Sequence, residues 1–178
     1  EIKVFSGNVN SSAIKSELSK NFEIWKSNDV DEIFLYFSGH GSFFNDEFYY
    51  ILSNFDENQR RQTSLQNSEI DRMIKSVKPK MVTKVIDACQ SGVSYIKGGT
   101  NFLEKYYSKT ADNFEKCYFL HSSMTSQYSY QDKNISAFTK SFLQSISTSV
   151  KPTIRYKDII DYISDTFENS AEQTPFFI

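Results

Sequence analysis

The chain has 178 residues, a formal net charge of −2, 39% hydrophobic residues and 24% charged residues. This length predicts one globular domain, and the composition excludes a disordered chain. The apolar runs fall far short of the roughly 20 residues of a membrane-spanning helix, and no basic surface is expected that would bind nucleic acid. The two cysteines form no CxxC motif, so they predict neither a disulfide framework nor a zinc site and fit a reducing cytoplasm.

The hydrophobic pattern predicts strands that alternate with helices, which is typical of an α/β domain. In chain order we expect buried parallel strands at 3–5, 32–38, 84–89 and 117–122, with shorter strands at 48–52 and 174–178. Apolar stripes predict helices over 14–25, 70–77, 135–146 and 156–167. Ser68-x-x-Asp71 resembles a capping box at the start of the second helix. Because Glu1 opens directly on a predicted strand without an initiator Met, the chain is expected to belong to a longer protein.

Glycine is scarce, yet it clusters in two loops that carry reactive side chains. Gly39 and Gly41 bracket His40, and Gly92 closes the turn that follows Cys89. Each loop comes directly after a predicted strand, and open α/β sheets place their sites at the carboxyl ends of strands. A right-handed crossover would bring these two strand ends side by side. The sequence therefore predicts a thiol nucleophile and an imidazole base in one site.

Two motifs carry a family resemblance. FSGHGS around His40 and VIDACQSG around Cys89 resemble the paired motifs of caspase-like cysteine proteases, peptidase family C14, and are most similar to the bacterial CHAT-type and metacaspase-like branch. Further similar segments extend the resemblance from Lys3 to Pro175. It implies a caspase-like three-layer fold, a mainly parallel sheet flanked by helices, over 1–178. The family's first strand and helix have no counterpart here, so the domain is expected to be incomplete at its amino end.

The resemblance also implies a mechanism for an endopeptidase. Cys89 would attack the peptide carbonyl while His40 acts as base and then protonates the leaving amine. The backbone N–H groups of Gly41 and Cys89 would form the oxyanion hole. No cofactor is required. Metacaspases suggest calcium as an activator, but 45–47 and 56–57 do not form an EF-hand or a similar loop, so no metal is predicted.

Four residues are candidates for substrate binding. Ser38 and Asp87 each lie two positions before a catalytic residue, and in metacaspase-like relatives the matching residues help to bind a basic side chain. Alternatively, Asp87 accepts hydrogen bonds from loop amides. Ser123 and Met124 would wall the cleft. A carboxylate at position 87 disfavours cleavage after Asp and favours Arg or Lys, with a neutral residue of medium size as the runner-up.

Other functions stay open beside the protease. A catalytically silent adaptor could keep the fold and bind a peptide or a regulatory partner, and an acyltransferase could use the same thiol. We interpret Cys117 and His121, which lie in an apolar strand, as structural. Relatives often carry sensor or repeat domains outside the protease and act in bacterial defence. We therefore expect a cytoplasmic effector protease with a protein substrate and a regulatory partner outside this chain.

Overall fold

The computed structural model describes residues 1–45, 47–89, 114–123, 131–132, 135–170 and 172–178. The helices are α1 (Ser11–Trp25), α2 (Arg60–Thr63), α3 (Asn67–Val77), α4 (Ala137–Ser147) and α5 (Tyr156–Phe167), with a short 3₁₀ helix at Glu57–Gln59. The strands are β1 (Glu32–Phe44), β2 (Glu47–Ile51), β3 (Ser64–Gln66), β4 (Met81–Cys89), β5 (Cys117–His121), β6 (Gln131–Asp132), β7 (Ile135–Ser136) and β8 (Phe176–Phe177).

A six-stranded mixed sheet in the order β3-β2-β1-β4-β5-β8 organises the fold. The three central strands β1, β4 and β5 are parallel, as predicted. The outer strands β2, β3 and β8 pair antiparallel with their neighbours. Strands β6 and β7 form a separate small ladder. The predicted α/β architecture is confirmed, with parallel pairing confined to the centre of the sheet.

Helices cover both faces of this sheet, which gives the predicted three layers. On one face, α1 and α3 pack on a cluster that includes Ile33, Val82 and Ile86 from the central strands. On the other face, α4 and α5 pack on Val85 and Leu120. Fully burying an aliphatic side chain of this kind contributes about 1.5–3 kcal/mol. The alternation of the strand residues therefore divides the hydrophobic core into two halves.

Helix α1 follows the predicted apolar stripe and has a side-chain cap. The Asn10 side chain accepts a hydrogen bond from the backbone N–H of Ser12 at 2.9 Å. Ile14 and Phe22 are buried on the inner surface of the helix, and the ring of Phe22 meets Trp25 edge-on at 5.1 Å. The predicted helix is confirmed.

The predicted capping box at the start of α3 is wrong. The helix begins at Asn67, and Gln66 at its N-cap makes no side-chain capping bond. Ser68 instead donates hydrogen bonds to the carboxylate of Glu47 through both its backbone N–H and its hydroxyl. Asp71 is buried and forms an ion pair with Lys84. Tertiary partners on β2 and β4 therefore take the two side chains that the local pattern assigned to the cap.

The Lys84–Asp71 pair belongs to a buried polar network on the α3 face of the sheet. The ammonium of Lys84 also donates to Asn67 Oδ1 at 3.0 Å, and Asn67 Nδ2 donates to Asp71 Oδ2 at 3.0 Å. The Tyr50 hydroxyl donates to Asn67 Oδ1 at 2.9 Å. Burial lowers the pKa of Lys84, and the charge of Asp71 opposes that shift. The network thereby links β4, α3 and β2.

Two terminal predictions need correction. Residues 3–5 form no strand, and Ile2 and Val4 are 88% and 79% exposed. A strand requires a neighbour for its backbone groups, and no described strand pairs with this segment. The predicted strand at 174–178 is limited to Phe176–Phe177. Within the described parts of the chain, no helix is both long enough and apolar enough to cross a bilayer.

Candidate active site

The predicted pair, His40 and Cys89, is brought together by strand register. His40 on β1 is the direct partner of Cys89, the last residue of the neighbouring parallel strand β4. Neighbouring strands lie about 4.8 Å apart. The same register pairs Ser38 with Asp87. Four of the predicted site residues therefore occupy two rungs, separated by the Gly39–Ala88 pair, at the carboxyl end of β4.

The position of His40 differs from the prediction in one respect. His40 and Gly41 were expected in a loop, but β1 continues through them to Phe44. The continuation is stabilised by β2, which pairs antiparallel with this part of β1 and places Ile51 opposite His40. The predicted strand at 48–52 is thus confirmed as the second half of a hairpin. An exposed histidine is held between β2 on one side and β4 on the other.

Gly39 allows close packing directly beside His40. A Cβ atom at this position would lie 3.0 Å from Cζ of the Phe37 ring, which is closer than an ordinary contact. Phe37 in turn packs edge-on against Tyr50, with ring centroids 4.9 Å apart. A side chain at position 39 would require the Phe37 ring to shift. The glycine before His40 is therefore explained by packing.

Asp87 is buried against the start of α4. Its carboxylate accepts hydrogen bonds from the hydroxyls of Ser136 and Thr139. Ser136 is also the N-cap of α4 and accepts from the backbone N–H of Thr139 at 2.9 Å. Tyr36 and Thr139 share a hydroxyl–hydroxyl bond of 2.7 Å, in which Tyr36 donates because Thr139 gives its own proton to Asp87. A carboxylate at a helix N-terminus is electrostatically favoured.

These contacts bear on the alternatives for Asp87. Its described partners are side-chain hydroxyls, whereas the alternative to a pocket role was hydrogen bonding to loop amides. Ser38, its register partner on β1, is exposed. The structure therefore places Ser38, His40 and Asp87 on the sheet face that α4 covers only in part.

The segment after β5 lies beside the end of β4. The backbone N–H of Ser122 donates to the Ile86 carbonyl at 3.0 Å, and its hydroxyl donates to the Ala88 carbonyl at 3.3 Å. Gln173 donates to the Ser122 carbonyl at 2.8 Å. Ser123, a predicted wall residue, is buried. Met124 and Gly92 lie outside the described residues.

His121 and Cys117 lie away from His40. His121 is buried on the opposite sheet face from Asp87, in register with Ile86, and it stacks on Phe176 with ring centroids 4.5 Å apart. Burial, and secondly the charge of Lys84, lower the pKa of His121 to about 3. Cys117 begins β5 and therefore lies at the other end of the sheet from Cys89.

Sequence reasoning missed a basic and aromatic cluster beyond His40. The Arg60 guanidinium lies 4.4 Å from the centroid of the Phe44 ring and donates to Ser42 Oγ at 3.2 Å. It also pairs with Glu57 at 2.8 Å. The contacts with Phe44 and Ser42 are tertiary, and Glu57 lies in a polar segment without hydrophobic periodicity. No local sequence pattern could therefore identify the cluster. The hydroxyls of Ser136 and Tyr36 beside Asp87 were missed for the same reason.

Among the described residues, no three or more His, Cys, Asp or Glu side chains are grouped so that they could hold a metal ion.

Comparison with known proteins places this chain in a family. A model of the caspase domain, peptidase family C14, matches residues 1–178, so the chain belongs to the caspase domain family. Membership supports a cysteine peptidase in general terms. Among similar solved structures, the crystal structure of protein GSU0716 from Geobacter sulfurreducens superimposes with a TM-score of 0.58, at 16% identity, over 92% of this chain and 72% of that chain. This likeness shows a shared fold. No curated protein matches the chain.

Proposed function

We propose that this protein is a cysteine endopeptidase that uses Cys89 and His40 as a catalytic dyad. The observation that carries the proposal is the register in which His40 and Cys89 are direct partners on neighbouring parallel strands. Position 89 belongs to the same alternating set as Asp87, and position 40 to the same set as Ser38. A thiol and an imidazole at partner positions on neighbouring strands suit nucleophilic catalysis.

The chemistry proceeds in two steps. The Cys89 thiolate attacks the scissile carbonyl, and the backbone N–H groups of Gly41 and Cys89 stabilise the oxyanion. The tetrahedral intermediate collapses as imidazolium His40 protonates the leaving amine, which leaves a thioester. His40 then removes a proton from water as the water attacks the thioester, and the acid product departs while the thiol is regenerated.

Substrate binding is proposed for the Ser38–Asp87 rung, two positions before the dyad, and for the wall after β5. Asp87 and Ser38 would receive the side chain before the scissile bond, with Ser123 and Met124 beside it. A buried carboxylate favours Arg or Lys there and disfavours Asp, and a neutral residue of medium size is the second choice. The physiological role that we propose is a cytoplasmic effector protease acting on protein substrates under the control of a partner outside this chain.

Active-site labelling tests the dyad. A peptide with an electrophilic ketone should alkylate one cysteine of the wild-type protein, identified by mass spectrometry as Cys89. Cys89→Ala should abolish both labelling and peptide cleavage. His40→Ala should slow both by about 10²–10⁴-fold, because general acid–base catalysis is lost. Cys117→Ser is the matched control and should retain the wild-type rates.

The outcomes separate the competing functions. Labelling at Cys117, or cleavage that persists in purified Cys89→Ala, would overturn the nucleophile assignment. Peptide binding without labelling or cleavage by the wild-type protein would support the silent adaptor instead. Transfer of an acyl group to an added amine in preference to water would identify an acyltransferase.

A further inference from the structure

The cluster around Arg60 lies along β1 immediately beyond the proposed dyad. Ser42 follows His40 by two residues, and the exposure of β1 alternates so that Gly41 and Phe43 are buried while His40 and Phe44 are exposed. Ser42 therefore shares a sheet face with His40. At about 3.3 Å per residue, Ser42 lies roughly 7 Å beyond His40 along the strand.

Arg60 is held in this position by aromatic rings and two hydrogen bonds. Its guanidinium carbon lies 4.4 Å from the centroid of Phe44 and 5.8 and 5.7 Å from those of Tyr49 and Phe55. Only 14% of its side chain is exposed. Among the described residues it donates to Ser42 and to Glu57, which uses two of the five N–H groups of a guanidinium.

A cavity of about 440 Å³ adjoins Arg60 and is open to solvent. Among the described residues that line the cavity, the charged ones are Arg60, Arg61 and Glu57, which gives a net charge of +1. The Glu57 side chain is 79% exposed, so water screens its charge and an incoming carboxylate can displace it at little cost. The Arg60 side chain is largely shielded from water, which strengthens its attraction for an anion.

The proposed mechanism determines which half of the substrate reaches this cavity. His40 protonates the leaving amine, so the segment after the scissile bond must lie on the β1 and β2 side of the dyad. The segment before the bond then lies toward β4 and β5. One extended residue spans about 3.3–3.6 Å, so the first or second residue after the bond reaches Ser42 and Arg60.

We propose that Arg60 forms a specificity subsite that binds an Asp or Glu side chain at the first or second position after the scissile bond. This inference rests on the proposed endopeptidase function. The planar guanidinium, fixed by Phe44 and by Ser42, presents its remaining donors to a carboxylate in a charge-assisted hydrogen bond. Because the cluster is already assembled, little side-chain entropy is lost when the substrate binds.

The test compares cleavage of matched peptides by the protein and three variants. The peptides are quenched-fluorescence substrates with Arg or Leu before the scissile bond and Asp, Glu, Ala or Lys at the two following positions in turn. For the wild type, kcat/KM should be about tenfold higher for peptides with Asp or Glu after the scissile bond than for peptides with Lys at the same position. Arg60→Gln should reduce this ratio to between one and two. Because the ratio is taken within one protein sample, partial loss of folded material does not affect it.

Two further variants complete the design. Glu57→Gln removes the competing carboxylate from an exposed position, so it should raise the acidic preference and should fold normally. Arg72→Gln removes an exposed positive charge from α3 and should keep the wild-type ratio. Equal cleavage of acidic and lysine peptides by the wild type, or an unchanged ratio in both Arg60→Gln and Glu57→Gln, would overturn the subsite. Absence of any cleavage by the wild type, with no labelling of Cys89, would instead overturn the endopeptidase function.

Discussion

Lys84 and Asp87 are two buried charged residues three positions apart on β4, and the strand places them on opposite faces of the sheet. Lys84 lies on the α3 face, where Asp71 supplies an opposite charge and Asn67 a further acceptor. Asp87 lies on the α4 face, where its described partners are the hydroxyls of Ser136 and Thr139. One strand therefore carries an ion pair in the core and a carboxylate bordering the candidate active site.

The difference separates a sheet face that contributes to stability from the face that carries the proposed site. On the α3 face, the charge of Lys84 is balanced within the protein, and the network ties β4 to β2 beneath β1. On the α4 face, Asp87 shares its rung with exposed Ser38 and precedes the rung of His40. A substitution on the α3 face should therefore act on folding, and one on the α4 face should act on the substrate as well.

The largest expected effect comes from breaking the ion pair. Lys84→Met should destabilise the fold by about 3–5 kcal/mol, because it leaves the buried Asp71 carboxylate without its cation. The measurement is the free energy of unfolding in urea. The double variant Lys84→Met/Asp71→Leu is the control and should recover most of the loss. If the losses of stability caused by the two single substitutions simply add in the double variant, the two residues are not coupled.

His121, on the same face as Lys84, should make stability depend on pH. Its folded pKa is about 3, against about 6.5 when unfolded, so the unfolded chain binds the proton first. Stability should be constant with respect to this group above pH 6.5 and fall as the pH decreases toward 3, by about 2 kcal/mol at pH 5.

Urea unfolding of wild type and His121→Phe between pH 7 and 5 checks this expectation. The variant keeps an aromatic ring beside Phe176 and should lose most of that slope. All other titratable groups are common to the two proteins, so the difference between the slopes reports on position 121 alone. An equal slope in both proteins would show that His121 is not the group responsible.

Asp87→Asn tests the α4 face. It removes the charge that accepts from Ser136 and Thr139, and it should cost about 1–2 kcal/mol of stability. Its second effect is on specificity: a preference for Arg over Leu before the scissile bond should collapse. Matched peptides assayed with wild type and variant measure this directly. Unchanged specificity with reduced stability would give Asp87 a structural role alone.

The smallest effect is expected from Tyr50→Phe, which removes one hydroxyl from the network on the α3 face. The Asn67 oxygen keeps its bond from Lys84, so the cost should be about 1 kcal/mol. Thermal unfolding should show a correspondingly small decrease in Tm. A loss as large as that of Lys84→Met would mean that Tyr50 and the ion pair act as one unit.

The positions of the central strands and of the proposed dyad could be predicted because they depend on local signals. The hydrophobic runs before His40 and Cys89 predict β1 and β4, and a glycine follows each of these two residues closely. The topology rule for crossovers then places their ends together. These features need no knowledge of which distant residues meet.

The features that could not be predicted depend on distant partners. The extension of β1 beyond Ser38 requires pairing with β2, and the side chain of Ser68 turns to Glu47 rather than to the helix end. Lys84 in an apolar run gives no sign that Asp71 neutralises it. Arg60 lies in a polar segment whose aromatic neighbours come mainly from the hairpin. In each case a tertiary contact overrides the local pattern.

The register of β1 and β4 also has a consequence for synthesis. Every paired position in this ladder is 49 residues apart, from Glu32 with Met81 to His40 with Cys89. Such non-local pairing is slow to form, because the intervening chain must first be closed into a loop. At about 5–20 residues per second, a ribosome adds Cys89 roughly 2–10 s after His40. Until β4 docks, the nascent chain therefore carries His40 without its register partner, and docking of β4 forms the central ladder and the proposed dyad in the same event.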